Sequence, residues 1–332
     1  MTSWVTTNRK LFCLAVLLCW NAIVSASVLQ TLESEIQAVY NAHADSIVRV
    51  KVATKNPDIE GENSTSLIVF SGFFVSDDGK VLTNATSKDT TRVWIEKDGL
   101  SYLADVIGSD EKSNLSLLQI LNLPKEFGFI EIQENVERPP IGSFTVALTS
   151  PLEFAPSPSF GLVTGYESSF DKFIFPFTYT RSNIAIGPAE GGSPIFNSKG
   201  EFIGINTASM PEIRSSYSIP PSALKKIVDD FNQYGKVYYA TPPFTMKEAA
   251  GRYNQGRIVT INELDENSSA IEAGLKPGDA IVEINSVKIS GINQARNTIF
   301  QQEPGAFLKL KIQRDDTILK FALPLESDTD ES

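Results

Sequence analysis

The sequence predicts a mainly β protein, with a pair of β-barrels or a β-sandwich followed by a smaller α+β unit. Short runs rich in β-branched and aromatic residues recur between Gly, Pro, Asn and Asp turns from about residue 46 to residue 208. Apolar residues at helical spacing precede and follow these runs. The chain has 332 residues, enough for two domains of about 100 to 200 residues each.

The first 26 residues have the pattern of an export signal. Arg9 and Lys10 precede an apolar run from Leu11 to Val24, and small residues follow it. The run has 14 residues, whereas a transmembrane helix needs about 20. We expect export with cleavage after Ala26, and the alternative is a membrane anchor formed by residues 11–24.

Composition excludes several classes of chemistry. Cys13 and Cys19 are the two cysteines and leave with the signal, so the mature chain can form no disulfide and has no thiol nucleophile. A net charge of −11 opposes binding to phosphate backbones, and we expect no nucleic-acid partner. The single histidine, His43, excludes multi-histidine metal sites. We predict no metal and no cofactor.

The elements are predicted in chain order from these patterns. A helix over residues 28–43 carries apolar side chains at helical spacing and leads into a strand at Ser46–Ala53. A second helix begins at Pro220 and Pro221 and ends at Gly235. Examples of the strands predicted between them are Leu67–Val75, Lys80–Asn84, Arg92–Glu96, Leu115–Ile120, Phe144–Leu148, Phe160–Gly165, Phe173–Thr178 and Phe202–Ala208.

Seven segments carry a resemblance to a known protein family. They are SGFFVSDDGKVLTNA (71–85), DEKSNLSLLQI (110–120), GSFTVALTSPL (142–152), FGLVTG (160–165), GGSPIFNSKGEFIGINTA (191–208), SIPPSALKKIVDDFNQYGKV (218–237) and NSSAIEAGLKPGDAIVEINSVKI (267–289). The first five resemble the chymotrypsin-fold domain of the HtrA/Deg serine proteases. The sixth is similar to the helix that joins that domain to a PDZ domain, and the seventh is similar to the centre of a bacterial PDZ domain.

The resemblance implies a trypsin-like double β-barrel in residues 27–236 and one PDZ domain in residues 237–326. An acidic segment without an apolar anchor follows at residues 327–332, and its composition predicts a disordered tail. The family also implies a periplasmic location. Because related proteins trimerise through the N-terminal part of the protease domain, the first helix is expected to support a homotrimer.

The same motifs locate the three catalytic positions of the family, and each holds another residue here. Thr86 stands where the family has its histidine, Asn114 where it has its aspartate, and Gly191 where it has its serine nucleophile. Loss of a working triad removes about a factor of 10⁶ in kcat. We therefore expect a degenerate triad, no enzymatic activity and a pseudoprotease.

Two other residues were weighed for catalysis. Ser193 lies two residues beyond the nucleophile position, but without a base it stays a neutral alcohol, and a Gly-Gly-Ser-Pro turn explains a small polar residue. His43 lies at the end of the first helix, where it can interact with helix-terminal carbonyls. The alternative function is nevertheless a serine-type endopeptidase with a rearranged site around Ser193.

The PDZ resemblance implies a peptide-binding groove. Phe244 and Met246 are its candidate pocket residues, and Ala295 and Ile299 are expected to line it from a helix near Ile292–Phe300, although helical spacing also fits a plain core role. Prolines 242 and 243 have no N–H, which puts capture of a terminal carboxylate in doubt.

These expectations combine into one function. The chain is expected to be an exported, non-catalytic scaffold or regulator in protein quality control. It would bind peptides, unfolded proteins or an active relative through its PDZ domain and its protease-fold cleft. A structural or assembly protein remains as a further alternative, and a membrane is expected as a partner only if the signal stays uncleaved.

Overall fold

A computed structural model describes residues 30–55, 65–170, 173–251 and 256–327. These residues form two closed β-barrels followed by a smaller sheet with helices. The mainly β fold class is therefore confirmed. The predicted signal at residues 1–26 lies outside the described residues.

Helix α1 is described over residues 30–43 and leads through a short 3-10 turn, Ala44–Ser46, into the first barrel. The barrel closes in the order β1-β2-β3-β6-β5-β4, with antiparallel pairing throughout. Its interior is filled by β-branched and aromatic side chains such as Val50, Phe74 and Ile95, all fully buried. The strands are β1 (Ile47–Lys55), β2 (Thr65–Phe74), β3 (Lys80–Asn84), β4 (Thr90–Lys97), β5 (Leu100–Asp110) and β6 (Leu115–Ile120).

The second barrel closes in the order β10-β11-β12-β9-β8-β7. Strands β8 and β9 form a long hairpin that extends beyond the barrel pairing. The strands are β7 (Phe144–Thr149), β8 (Ser157–Phe170), β9 (Phe173–Ser182), β10 (Pro194–Asn197), β11 (Phe202–Met210) and β12 (Ser215–Ile219), with a 3-10 turn at Pro211–Ile213.

Three strands of the barrels have no clear pattern of their own in the sequence. Strand β5 contains Ala, Asp and Gly, which interrupt a β-propensity signal. Strand β10 has only four residues, and β12 is rich in serine. Each is held by pairing with two neighbouring strands rather than by its own composition.

Helix α2 (Pro221–Tyr234) joins the barrels to the last domain. It begins after Pro220 and ends at Gly235, whose φ of 72° is the left-handed conformation that favours glycine at a helix end. The helix buries Leu224, Ile227 and Phe231 against the barrel core. A Cβ at Gly108 of β5 would overlap the Phe231 ring, so a glycine there allows the helix to approach the barrel closely.

The last domain is a twisted antiparallel sheet in the order β14-β15-β16-β18-β19, with β14 at one edge. A two-stranded pairing of β13 with β20 joins the start and the end of the domain. The elements are β13 (Ala240–Thr241), β14 (Phe244–Ala250), β15 (Arg257–Leu264), α3 (Ser269–Glu272), β16 (Ala280–Ile284), β17 (Val287–Lys288), α4 (Ile292–Phe300), β18 (Phe307–Arg314), β19 (Thr317–Pro324) and β20 (Glu326–Ser327).

The acidic segment at residues 327–332 is predicted to be disordered. Its first residue, Ser327, instead pairs with Ala240 in the two-stranded β13–β20 ladder, which is separate from the main sheet. Ser327 is held there because it closely follows Leu325, which is buried in the core of the domain. Residues 328–332 lie outside the described residues.

Helix α4 packs against the second barrel as well as against its own sheet. Asn297 Oδ1 accepts a hydrogen bond of 2.8 Å from the Thr178 amide of β9. Asn293 Nδ2 donates to the Tyr166 carbonyl of β8 at 3.2 Å. The ring of Phe300 lies 4.6 Å from that of Phe177, centroid to centroid, and Phe300 is part of the barrel core. The helix therefore joins the two domains.

Candidate functional site

The structure brings the three motif-derived catalytic positions to the interface between the barrels. Thr86 follows β3, and its Oγ1 lies 3.2 Å from Ser116 Oγ. Asn114 Nδ2 donates a hydrogen bond of 2.6 Å to the Thr207 carbonyl of the second barrel. Gly191 lies in the loop before β10. Thr86 and Asn114 are thus held in place by hydrogen bonds of their own side chains.

Asn114 is positioned by its backbone as well as by its side chain. Its φ of 55° is in the left-handed region, which asparagine tolerates better than most residues. Its carbonyl accepts a hydrogen bond of 3.1 Å from the Ala85 amide, next to Thr86. The turn before β6 is thus tied to the end of β3 on one side and to the second barrel on the other.

The loop around Gly191 is closely packed. Its carbonyl accepts a hydrogen bond of 2.9 Å from the Ser71 amide. A Cβ added at Gly191 would overlap Nδ2 of Asn84, which is 8% exposed. A Cβ at Gly192, whose φ is +86°, would overlap the Ser71 carbonyl oxygen. Residues with side chains are therefore disfavoured at both positions.

Ser193 is fully buried. Its Oγ donates to the carbonyl of Glu190 in the same loop. The Glu190 carboxylate accepts a hydrogen bond of 3.0 Å from Thr149 Oγ1 and another from the Gly187 amide. In this arrangement the Ser193 hydroxyl stabilises the loop conformation.

His43 lies at the end of α1, but its partner is not a helix-terminal carbonyl. Its ring stacks on Phe196 at a centroid distance of 4.3 Å, and its Nε2 lies 3.0 Å from the Gly200 carbonyl. Burial lowers the pKa of His43 below 6.5, while the hydrogen bond to Gly200 acts in the opposite direction. The histidine thus anchors α1 to the β10–β11 hairpin.

A cavity of about 650 Å³ lies between the last domain and the second barrel. The predicted pocket residues Phe244 and Met246 line it from β14, and Ile299 lines it from α4. Ala295 does not line it, because its side chain is fully buried in the core of its own domain. The β8–β9 hairpin closes the opposite side with Phe170, Ile174, Phe175 and Pro176.

Two cationic residues of this cavity were missed by the sequence analysis. Arg296 of α4 and Lys112 of the β5–β6 turn are the charged members of its lining. Arg296 follows Ala295 and lies on the side of α4 that carries Asn293, Asn297 and Phe300. Asn293, Asn297 and Phe300 are separated by four and three residues, so they lie on one face of the helix. This spacing is the sequence signal that could have indicated a second contact face on α4.

Among the described residues, no helix is both long and apolar enough to cross a membrane. In the same parts of the chain, no group of three or more His, Cys, Asp or Glu side chains could hold a metal ion.

Two protein families match the chain in separate segments. Residues 70–205 match the trypsin-like peptidase domain, and residues 243–325 match the PDZ domain. The first match covers strands of both barrels, and the second covers the last domain from β14 to β19, including α4. The fold therefore consists of a trypsin-like peptidase domain and a PDZ domain.

The curated relatives are similar over most of the chain. A protein of Marinomonas sp. named "Probable periplasmic serine endoprotease DegP-like" is 29% identical over 286 residues, covering 82% of this chain and 59% of the relative. One of Chlamydia muridarum with the same name is 28% identical, covering 75% and 52%. "Periplasmic serine endoprotease DegP" of Escherichia coli K12 is 27% identical, covering 80% and 58%. The chain spans between half and three fifths of the length of these relatives.

Solved structures support the fold. The structure described as "HtrA-type protease AlgW with tripeptide" superposes with a TM-score of 0.70 at 16% identity, covering 88% of this chain and 97% of that one. The serine endoprotease from Yersinia pestis superposes with a TM-score of 0.60 at 19% identity, with the same coverage.

The relatives contradict the prediction that the chain is not an enzyme. That prediction rested on Thr86, Asn114 and Gly191 standing at the three motif positions, whereas the matching relatives are named serine endoproteases. Three motif positions do not by themselves exclude activity, because a catalytic triad is recognised by the geometry and roles of its groups and not by sequence position. Support from the relatives therefore favours a protease.

Proposed function

We propose that this chain, which combines a trypsin-like peptidase domain with a PDZ domain as HtrA-type proteases do, binds unfolded or partner polypeptides in protein quality control. The observation that carries the proposal is the cavity between the two domains, where Phe244, Met246 and Ile299 meet the β8–β9 hairpin. Cavities of this size with mostly apolar walls are typical ligand sites.

Strand β14 adds a second argument for a polypeptide ligand. It is the edge strand of its sheet and lies beside the cavity. An edge strand offers unpaired backbone groups to an extended peptide, which then forms a further strand. The AlgW structures carry a tripeptide or a decapeptide, and we extend peptide binding to this chain as a proposal.

Serine endopeptidase activity is the second candidate function, and the names of the relatives favour it. Ser193 is the candidate nucleophile. For this role the loop that buries it would have to open, since its hydroxyl now donates to Glu190.

The remaining assignments are proposals that extend the sequence analysis. We propose residues 27–236 as the protease-fold domain and residues 237–326 as the PDZ domain. The named relatives are periplasmic, and we propose the same location for this chain, reached by cleavage after Ala26. A homotrimer built with α1, and association with an active relative, are the proposed assemblies.

Binding is tested on the mature chain by fluorescence anisotropy with labelled, reduced and carboxymethylated α-lactalbumin. Ile174, which is 67% exposed, lines the cavity, so Ile174→Asp is expected to raise the Kd at least fivefold. Ile318→Asp is the matched control, because Ile318 is 53% exposed on β19, outside the cavity lining. Equal effects of the two substitutions, or no binding to the parent protein, would refute the proposal.

Hydrolysis is tested with labelled casein and a serine-directed phosphonate. If Ser193 is the nucleophile, Ser193→Ala abolishes both cleavage and labelling, while Ser159→Ala, at a half-buried position of β8, leaves them unchanged. Cleavage that persists in Ser193→Ala assigns the activity to another group.

A further inference from the structure

The loop that would receive a peptide terminus in this PDZ domain has few amides to offer. PDZ domains hold a terminal carboxylate with backbone N–H groups of the loop before the edge strand. Here Pro242 and Pro243 have no N–H. The Phe244 amide donates to the Pro242 carbonyl at 2.8 Å. Three consecutive residues of the loop therefore provide no amide for a ligand carboxylate.

The cavity also continues past this loop. Its lining includes Tyr239, Ala240 and Thr241, which precede the prolines, and Lys112 of the first barrel. A ligand that ended at the loop would leave this part of the cavity unfilled. A ligand chain that continued in both directions would fill it.

The charged residues of the cavity lining are both positive, in a chain whose net charge is −11. Arg296 Nη1 donates to the Ser168 carbonyl of β8. Lys112 Nζ lies 5.4 Å from the centre of the Tyr239 ring. Thus one cation comes from the PDZ domain and the other from the first barrel, so an anionic ligand group between them would contact both domains.

The acidic residue that acts on Arg296 is engaged elsewhere. Glu248 does not line the cavity, and its carboxylate accepts hydrogen bonds from the Ile292 amide at 3.3 Å and from Arg257 at 3.1 Å. Burial lowers the pKa of Arg296, while the charge of Glu248 raises it. A partly desolvated guanidinium beside an apolar wall gains more from a carboxylate than an exposed one does.

We propose that the cavity binds an internal, extended segment of a polypeptide in which a Glu or Asp side chain lies between large apolar residues. The segment pairs with the open edge of β14, its apolar side chains contact Phe170, Phe175 and Phe244, and its carboxylate binds Arg296 and Lys112. A free chain terminus is not required. This inference rests on the proposed function and specifies its ligand.

The test uses the mature chain and three fluorescent peptides of 12 residues. The first has both ends blocked and one central Glu flanked by Phe and Leu, the second replaces that Glu by Gln, and the third has the Gln sequence with a free C-terminal carboxylate. We expect the Glu peptide to bind at least tenfold more tightly than the Gln peptide. Freeing the C-terminus is expected to change the Kd by less than twofold.

Two substitutions in different domains test the role of the cations. Arg296→Gln and Lys112→Gln are each expected to reduce the preference for Glu over Gln to less than threefold. Lys309→Gln removes a charge from an exposed position of β18 and should leave the preference unchanged. Thermal unfolding checks that each variant is folded. Lys112 lies in an exposed turn, so Lys112→Gln leaves the hydrogen bond between Arg296 and Ser168 of the barrel in place.

The outcomes separate this inference from the function on which it rests. Binding that requires the free C-terminus, or a Glu preference that survives both substitutions, would overturn the inference while leaving polypeptide binding in place. If none of the peptides binds and the unfolded protein also fails to bind, the proposed function itself is refuted.

Discussion

The side chain of Asn84 fills the space next to Gly191 at the interface of the barrels. The Asn84 side-chain amide lies where the first side-chain atom of any larger residue at position 191 would stand. Asn84 is buried, and its Oδ1 has no protein hydrogen-bond partner among the described residues. Position 191 is thus coupled to a residue at the end of β3.

This coupling predicts the effect of introducing a serine at position 191. Gly191→Ser is expected to lower the free energy of unfolding by about 1–3 kcal/mol, as overpacking does. Asn84→Ala should recover part of that loss in the double variant, which a double-mutant cycle in urea measures. Gly128→Ser is the control, since the nearest atom to its added Cβ would lie at an ordinary 3.5 Å. Additive effects of the two substitutions would contradict the coupling.

Helix α2 carries two ion pairs with the same spacing and different burial. Lys226 and Asp230 are almost fully buried at 2.6 Å, whereas Lys225 and Asp229 are exposed. The Asp230 carboxylate also accepts a hydrogen bond of 3.1 Å from the Tyr238 amide. Lys226→Met should cost about 3–5 kcal/mol of unfolding free energy, because it leaves a buried carboxylate without its cation.

The exposed pair provides a control on the same helix. Lys225→Met is expected to cost no more than about 0.5 kcal/mol. Urea denaturation of both variants gives the comparison. Similar losses would show that burial does not distinguish the two pairs.

Phe300 determines how firmly the PDZ domain is attached. Its ring is 3% exposed and contacts Phe177 of the barrel and Tyr239, which directly precedes β13. Phe300→Ala is expected to cost about 3–5 kcal/mol and to increase protease cleavage between residues 236 and 243. Phe307→Ala, at a residue that is 61% exposed, should change neither. Unaltered cleavage in Phe300→Ala would contradict this role.

His43 predicts a pH dependence of stability. Its pKa in the folded chain is lowered from 6.5, mainly by burial, so the unfolded chain binds the proton more readily. The contribution of His43 to stability is therefore complete above pH 6.5 and declines as the pH falls through the lowered pKa. In His43→Gln, the slope of unfolding free energy against pH between 5 and 6.5 should be smaller than in the parent protein. Identical slopes would refute the prediction.

Much of the fold could be predicted from the sequence, because the local signals agree with the final structure. Strands β3 and β6 have the predicted bounds, and α2 lies between its proline start and Gly235. Helix α4 also has its predicted bounds, Ile292–Phe300. Strands β10 and β12 could not be predicted, since their stability comes from neighbours distant in the sequence.

Of the cavity lining, the sequence predicted only residues of the PDZ domain, because a motif identifies that domain. Phe244, Met246 and Ile299 came from the PDZ resemblance and meet in the cavity. Arg296 and Lys112 could not be found in this way, because a contact between domains depends on how α4 lies on β9. Helical spacing indicates a second contact face on α4, but it does not show that Asn297 on this face bonds Thr178, 119 positions away in the chain.

The pairing of β13 with β20 brings the entry and the exit of the PDZ domain side by side. The domain follows both barrels in the chain, so its described connection to them is helix α2. Exchange of the whole unit between relatives would leave the path of the barrels unaltered, whereas the cavity would change on one wall only. Ligand preference can therefore diverge by replacement of a module while the barrel wall, with Phe170 and Phe175, stays the same.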